Sequence, residues 1–308
     1  METIKVVFTF DESYVLQGLV SALSLLDADE GHEYGFYFLS ETPFSDDVIS
    51  EFGEYLTGFE NLKFFKFLSL DHSMGDVYES RHLTRSTYLR LEIPEVICEE
   101  KIIYVDVDVL FLSGLNELWM ENVNGYLLAA SLDVGLNRER AFSKKLIDLP
   151  YWNKYYGERK GSYFQAGLLL MNLKEIRERK LVNRWRKLCR EKFEYHDMDV
   201  LNISCFPYIK KINAKYNIIP GYFVKKTYER GVREGYFKDE EVDEMYKRPI
   251  MLHFAGAKKP WSFPSSPGGY EYWRFLKKYP GLQKRIMQRY TPSLSEKIRK
   301  FFTKPLFA

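Results

Sequence analysis

Short apolar runs alternate along this chain with stretches of helical spacing. The first run is Ile4–Phe10, and it ends in Thr9-Phe10-Asp11-Glu12-Ser13. From Tyr14 to Leu26 the apolar residues Val15, Leu19, Ala22, Leu23 and Leu26 recur at helical intervals. This predicts a strand–loop–helix unit with a ligand at the carboxyl end of the strand. Asp11 stands at that end, as a helix N-cap or as a ligand contact. Tyr34–Leu39 and Leu62–Leu68 predict two more strands, with a helix from Ser45 to Tyr55 between them. Ser86–Leu91 reads as helical and contains Arg90, which local pattern alone treats as solvated.

The middle of the chain repeats the alternation. Ile102–Val105, with Lys101 before it, reads as a buried strand; two carboxylates follow and the apolar run resumes to Leu112, with a helical turn at Leu115–Trp119 and a strand at Tyr126–Ser131 that leads into Asp133. A basic, exposed helix is expected over Arg138–Leu146 and an interior strand within Ser162–Leu173. Gly167 in that strand marks a bulge or a close backbone approach. An amphipathic helix should run from Leu173 to Glu194 with a break near Arg179, and another should open at His196. Pro207–Arg248 reads as loop-rich, and Ile250–His253 as the last strand. Strands alternating with helices imply an α/β fold with a doubly wound, mainly parallel sheet flanked by helices.

Chemistry concentrates where the Lys101–Leu112 run is interrupted by Asp106 and Asp108, one residue apart. Carboxylates are not left unpaired at the end of a buried strand, because desolvating one costs several kcal/mol or more. A hard divalent cation with oxygen ligands would satisfy both. The alternative is a strand end whose acids face solvent. A second concentration follows the last strand, at His253-Phe-Ala-Gly256-Ala-Lys-Lys259-Pro-Trp261. Gly256 would let a ligand approach backbone N–H groups and Lys259 supplies charge, so a phosphate fits there.

Composition adds bounds. The chain has 308 residues, 45% hydrophobic and 17% aromatic, enough for one large α/β domain. No window reaches the ~18 uninterrupted apolar residues of a membrane span. No basic leader precedes the first strand, so no signal peptide is expected. Three cysteines (Cys98, Cys189, Cys205), odd in number and not at metal spacing, suggest a reducing cytoplasm. Net charge is +2, yet Arg274–Lys304 carries ten Lys/Arg and one acid, Glu296. The remainder is therefore mildly acidic. We expect a catalytic unit over 1–265 and a basic helical extension over 266–308, with helices at Tyr270–Tyr279, Leu282–Arg289 and Leu294–Phe302. In the last of these Ile298, Phe301 and Phe302 share a face ringed by cations, which suits the anionic inner face of a membrane or docking on the body. The tail aromatics have the spacing of packing faces, and no nucleic-acid motif accompanies them.

Taken in order, these motifs resemble glycosyltransferase family 8, the retaining GT-A enzymes that include bacterial lipopolysaccharide and capsule galactosyl- and glucosyltransferases. The carriers are the opening strand into Phe10-Asp11, the Ser86–Leu91 segment, Tyr104-Val-Asp106-Val-Asp108, Phe164-Gln-Ala-Gly167 through Leu173, Asp197-Met-Asp199-Val-Leu-Asn202, and His253 through Trp261. The resemblance implies a UDP-hexose donor, a glycan acceptor and a Mn²⁺ ion, with Mg²⁺ as the alternative. It implies Asp106, Asp108 and His253 as metal ligands. Thr9, Phe10, Asp11, Ser13 and Val107 would lie at the nucleoside, and Gly256 and Lys259 at the diphosphate. Arg90, Asp133, Gln165 and Asp197 would surround the transferred sugar. Two positions depart from the family pattern: Gln165 stands where Asn is frequent, and Met198 where Gln is common. Met198 lacks the amide oxygen with which that Gln has been considered as a nucleophile, so it bears on mechanism and keeps open a UDP-binding protein without turnover. A haloacid-dehalogenase-like phosphatase also uses an apolar strand followed by D-x-D, but near the chain start and followed by Gly-Thr, unlike Asp108-Val-Leu.

Overall fold

β1, Ile4–Thr9, is a run of nearly continuous apolar residues, as a strand covered on both faces must be. The computed structural model describes residues 2–70, 77–78, 85–137, 151–156, 162–293, 295–296, 299 and 303–307. The further strands are β2 (Tyr34–Ser40), β3 (Leu62–Ser69), β4 (Lys101–Val105), β5 (Val109–Phe111), β6 (Leu128–Ser131), β7 (Leu168–Asn172), β8 (Ile209–Ile212) and β9 (Met251–His253). Seven of them form one sheet in the order β3-β2-β1-β4-β7-β6-β8. Its pairs are parallel except those of β7, which runs antiparallel to both β4 and β6. The expected α/β architecture is therefore present, as a mixed, mainly parallel sheet.

The winding reverses beside β1. The chain passes to β2 and β3 on one side, then returns to β4 on the other. Connections that diverge in this way leave a crevice at the carboxyl ends of the two central strands. The helix Val15–Ala28, buried at every residue from Val15 to Leu26, fills one face. Its Ser21 hydroxyl donates to the Val107 carbonyl at 2.8 Å, tying the helix to the segment between the two aspartates. An aromatic cluster packs beneath β1 and β2, where the Phe38 ring lies 4.7 Å from Phe52 and 5.1 Å from Phe67.

The structure departs from the sequence-based expectation in several places. The buried strand expected at Ile102–Val105 is present as β4, but the apolar run that resumes after the aspartates does not rejoin its sheet. β4 ends at Val105, the Asp106-Val107-Asp108 turn leaves the sheet, and β5 pairs instead with β9, antiparallel, with Val109 opposite His253. Two carboxylates cannot continue inside a sheet covered on both faces, so the chain bends out where they begin. The expected Ser162–Leu173 strand is limited to β7, with Phe164 making only an isolated bridge to Leu132. Pro207–Arg248 is not loop-rich. It contains β8 and the helices Pro220–Val224, Thr227–Arg233 and Asp239–Lys247. The two lysines of β8 hid its strand character, because Lys210 and Lys211 pair with Glu121 and Glu241 at 2.7 and 2.9 Å.

Other expectations hold. The Leu173–Glu194 segment breaks at Lys180, whose backbone is left-handed, into helices Leu173–Glu178 and Leu181–Leu188. Arg85–Leu91 is a 3₁₀ helix. Gly269–Leu276 and Pro280–Arg289 are helical and bury Leu276, Leu282 and Ile286. The Arg138–Leu146 helix and the apolar face of Leu294–Phe302 lie outside the described residues. Among the described residues no helix is long and apolar enough to cross a membrane.

Phe38 is fully buried and touches five other rings. Phe38→Ala should lower the free energy of unfolding by about 3–5 kcal/mol, read from urea denaturation.

Candidate functional site

The first half of the site hangs from β4. Tyr104 and Asp106 are two residues apart and so face the same way along the strand. The Tyr104 hydroxyl donates to Asp106 and lies 3.3 Å from the Thr9 hydroxyl of β1. The Asp106 N–H donates to the Gly167 carbonyl at 2.9 Å, and Phe254 N–H to the Asp108 carbonyl at 2.9 Å. These backbone bonds fix the turn that carries both carboxylates.

Because β7 runs backwards, its beginning lies at the same end of the sheet as the end of β4. That brings Gln165 and Gly167 to the aspartates. A Cβ on Gly167 would sit 2.3 Å from the His253 ring, so the expected close approach is to this histidine. β9 delivers His253 to the other side. Its Nε2 lies 3.3 Å from Asp108 Oδ1 and 3.6 Å from Asp106 Oδ2. One ligand atom from each of the three residues falls within 4.8 Å of the others.

The donor set fits a divalent cation. His253 Nδ1 lies 2.9 Å from Asn217 Oδ1, an acceptor, so Nδ1 carries the proton and Nε2 is left facing the carboxylates. A lone pair between two carboxylates is a place for a metal, and two oxygens with one imidazole nitrogen suit Mn²⁺. Protein cations take up part of the charge. Lys259 pairs with Asp108 and donates to the Phe254 carbonyl at 2.7 Å. Burial works against ionising Asp108, but the ammonium of Lys259 beside it outweighs burial and holds its carboxyl well below the usual range.

Arg90 corrects the local reading of a solvated side chain. It is buried, and its guanidinium reaches Asp106 at 2.9 Å, Asp197 at 3.0 Å and the Ala166 carbonyl at 2.8 Å. Burial opposes its charge, yet the two aspartates more than compensate and raise its pKa. Asp197, at the start of helix His196–Cys205, is buried as well, and burial lifts its carboxyl to about 7 against the pull of Arg90. Gln165 donates its amide to Asp133, whose other oxygen accepts from the Leu136 N–H at 2.7 Å. Arg90 and Asp197 thus join Asp106, while Gln165, one residue before the Ala166 carbonyl that Arg90 reaches, is bonded to Asp133.

The remaining predicted residues are more dispersed. Asp11 caps the Glu12–Tyr14 turn, accepting from Ser13 N–H at 2.8 Å and from the Ser86 hydroxyl at 2.7 Å. The capping reading is therefore realised. A shallow cavity of about 270 Å³ opens beside it, lined by Asp11, Glu12, Ser40, Glu41, Arg85 and Ser86. The Phe10 ring is not in that cavity; it is buried in the aromatic core, and Val107 is also largely covered. Gly256 has φ +90° and open space where a Cβ would be, so backbone conformation rather than crowding calls for glycine there.

Three features had not been anticipated. Asn217 sets the His253 tautomer from 36 residues away, without any local sequence signal. Tyr104 could have been found from its period-two relation to Asp106. Asp199 sits in a cage of donors: Tyr151, Tyr156 and Tyr163 hydroxyls at 3.0, 2.6 and 2.9 Å, and the Tyr195 N–H at 2.9 Å. The cage anchors the helix that presents Asp197.

Comparison with known proteins gives the family. Residues 5–264 match Glycosyl transferase family 8. The chain belongs to that family. It is 26% identical over 221 residues to general stress protein A of Bacillus subtilis, covering 68% of this chain and 72% of that one. It is 23% identical to a lipopolysaccharide 1,2-glucosyltransferase of Escherichia coli, over 89% of this chain and 77% of that enzyme. The galactosyltransferase LgtC, solved with donor and acceptor sugar analogs, superimposes with TM-score 0.68 at 24% identity over 96% of this chain and all of LgtC. The shared fold is GT-A. As a family 8 glycosyltransferase, the chain takes a sugar donor and an acceptor, and Asp106, Asp108 and His253 form its candidate metal site.

Asn217→Ala should weaken divalent-cation binding at the candidate site about 10–100-fold, as removal of a residue that orients a ligand usually does, with the melting temperature little changed. Titration of free Mn²⁺ by electron paramagnetic resonance reads this directly.

Proposed function

We propose that the chain is a retaining, metal-dependent hexosyltransferase. It would move galactose or glucose from a UDP-sugar to a glycan acceptor of a cell-surface polysaccharide, lipooligosaccharide or glycoprotein. The observation that carries this reading is the meeting of two carboxylates, one imidazole, one lysine and one buried arginine at the crevice of a family 8 chain. The glucosyltransferase and galactosyltransferase similarities support a hexose as cargo.

Asp106, Asp108 and His253 would hold Mn²⁺, with Mg²⁺ as the alternative. Bound there, the ion offsets negative charge on the departing diphosphate. Lys259 exchanges Asp108 for phosphate oxygens, and the backbone at Gly256 donates beside it. The carboxylate of Asp11 accepts from the base, with Thr9, Ser13, Val107 and the backbone of Phe10 around the nucleoside. Arg90, Asp133, Gln165 and Asp197 line the transferred sugar, and the two acids face the positive charge that develops on its ring.

Retention without a nucleophile at Met198 leaves two routes. Asp197 is engaged by Arg90 at 3.0 Å, which lowers its nucleophilicity. We favour attack from the face that UDP leaves: the acceptor oxygen bonds to the anomeric carbon, the bond to phosphate breaks, and the acceptor proton passes to the phosphate oxygen. The basic stretch 274–304 would hold the enzyme against the anionic inner face of the cell membrane, in the cytoplasm.

A panel of UDP-sugars incubated with Mn²⁺ tests this reading through released UDP. We expect slow hydrolysis of one donor, lost with EDTA and in Asp108→Asn. Mn²⁺-dependent UDP binding without release, even with glycan acceptors, would favour a binding protein that Met198 has left without turnover. No UDP binding would refute the donor class. Asp197→Asn should retain weak turnover, down about 10²–10³-fold. Complete loss, with a sugar–enzyme adduct trapped in a slow variant, would overturn same-face attack.

A further inference from the structure

The chain beyond the family match reaches the nucleotide end of the crevice. The family match ends at residue 264, and the Pro280–Arg289 helix lies past it. That region is pinned to the body by Lys278 on Asp27 at 2.5 Å and by Arg285 on Glu51. The next residue after the helix is Tyr290. Its hydroxyl donates to the Ser13 carbonyl at 3.4 Å, and its ring lies 6.1 Å from the ring of Trp261. Ser13 belongs to the turn that Asp11 caps. Trp261 is buried and closes the loop that carries Gly256 and Lys259. One phenol therefore touches both loops that flank the candidate nucleotide site. Further on, Glu296 is buried and accepts from the Ser265 hydroxyl at 2.6 Å, so the chain is anchored on both sides of Tyr290.

Electrostatics point the same way. Burial raises the Asp11 carboxyl, but hydrogen bonds from Ser13 and Ser86, with the charge of Arg289, hold it below its ordinary value. Tyr14, the last residue of the turn, feels both Lys259 and Tyr290. The turn, the lysine loop and the end of the extension form one neighbourhood.

We propose that Tyr290 is a positioning residue of the donor site. It straps the Asp11–Tyr14 turn to the Lys259–Trp261 loop at the separation a nucleoside diphosphate requires. The extension is then a part of the site as well as a basic surface. This rests on the UDP-sugar reading above. A ligand that spans both loops depends on the strap, whereas one that reaches only the Asp11 turn does not.

The test is titration of the full-length chain with UDP and with uridine, in Mn²⁺. Tyr290→Phe removes only the hydroxyl and should raise the UDP Kd about three- to tenfold, the effect of one hydrogen bond. Tyr290→Ala should raise it further, raise the donor KM, and leave kcat nearly intact. Uridine affinity, Mn²⁺ affinity and melting temperature should stay as in the unaltered protein. Met287→Ala, on the exposed side of the Pro280–Arg289 helix, should change none of these. The strap is overturned if Tyr290→Ala binds UDP as tightly as the unaltered chain, or if it loses UDP and uridine by the same factor together with stability. If the unaltered chain binds no UDP, the donor reading fails first and the strap with it.

Discussion

Charge burial at the end of β4 is the constraint on which the rest of the site depends. Asp106 and Asp108 follow a strand covered on both faces, and neither can remain ionised there without a partner. Arg90 answers one, Lys259 the other, and His253 stands between them. The two cations come from segments far apart in the chain. Each is therefore a reason for those segments to fold onto this crevice, and the crevice remains electrostatically competent for an anionic ligand and a divalent ion. The arrangement gives specificity of geometry more than stability, since a buried ion pair contributes little net free energy.

Strand direction does the rest of the assembly. An all-parallel sheet would send the start of β7 to the opposite end of the molecule. With β7 reversed, Gln165 and Gly167 arrive beside Asp106, and the absence of a side chain at Gly167 leaves room for the His253 ring. The bend after Val105 frees β5 to pair with β9, which places His253 opposite Val109 and next to Asp108. Candidate metal ligands separated by 145 residues thus become neighbours through two ladders of backbone hydrogen bonds.

A second layer steadies what the first presents. Asp197 is buried and raised to about 7, so its position must be held by something other than solvent. Arg90 holds its carboxylate, and the tyrosine cage on Asp199 holds its helix. On the outer side, Tyr290 and Glu296 bring the basic extension against the crevice. Support for the site therefore comes from the whole length of the chain, including the part beyond the family match.

The strand runs at Ile4, Tyr34, Leu62 and Lys101, the α/β class, and the Asp-Val-Asp and His253–Lys259 motifs were legible in the sequence, because burial on both faces writes itself as continuous apolar residues. Strong local patterns also marked a helix break near Arg179, found at Lys180, and the cap at Asp11. β8 escaped notice because its lysines form ion pairs with distant acids, and Arg90 read as solvated because its partners lie on other elements. Only the tertiary structure decided the reversal of β7, the tautomer of His253 set by Asn217, and the place of Tyr290 between two loops. Each of these depends on contacts between residues remote in sequence, and local periodicity reports which face of an element is buried but not what meets it there.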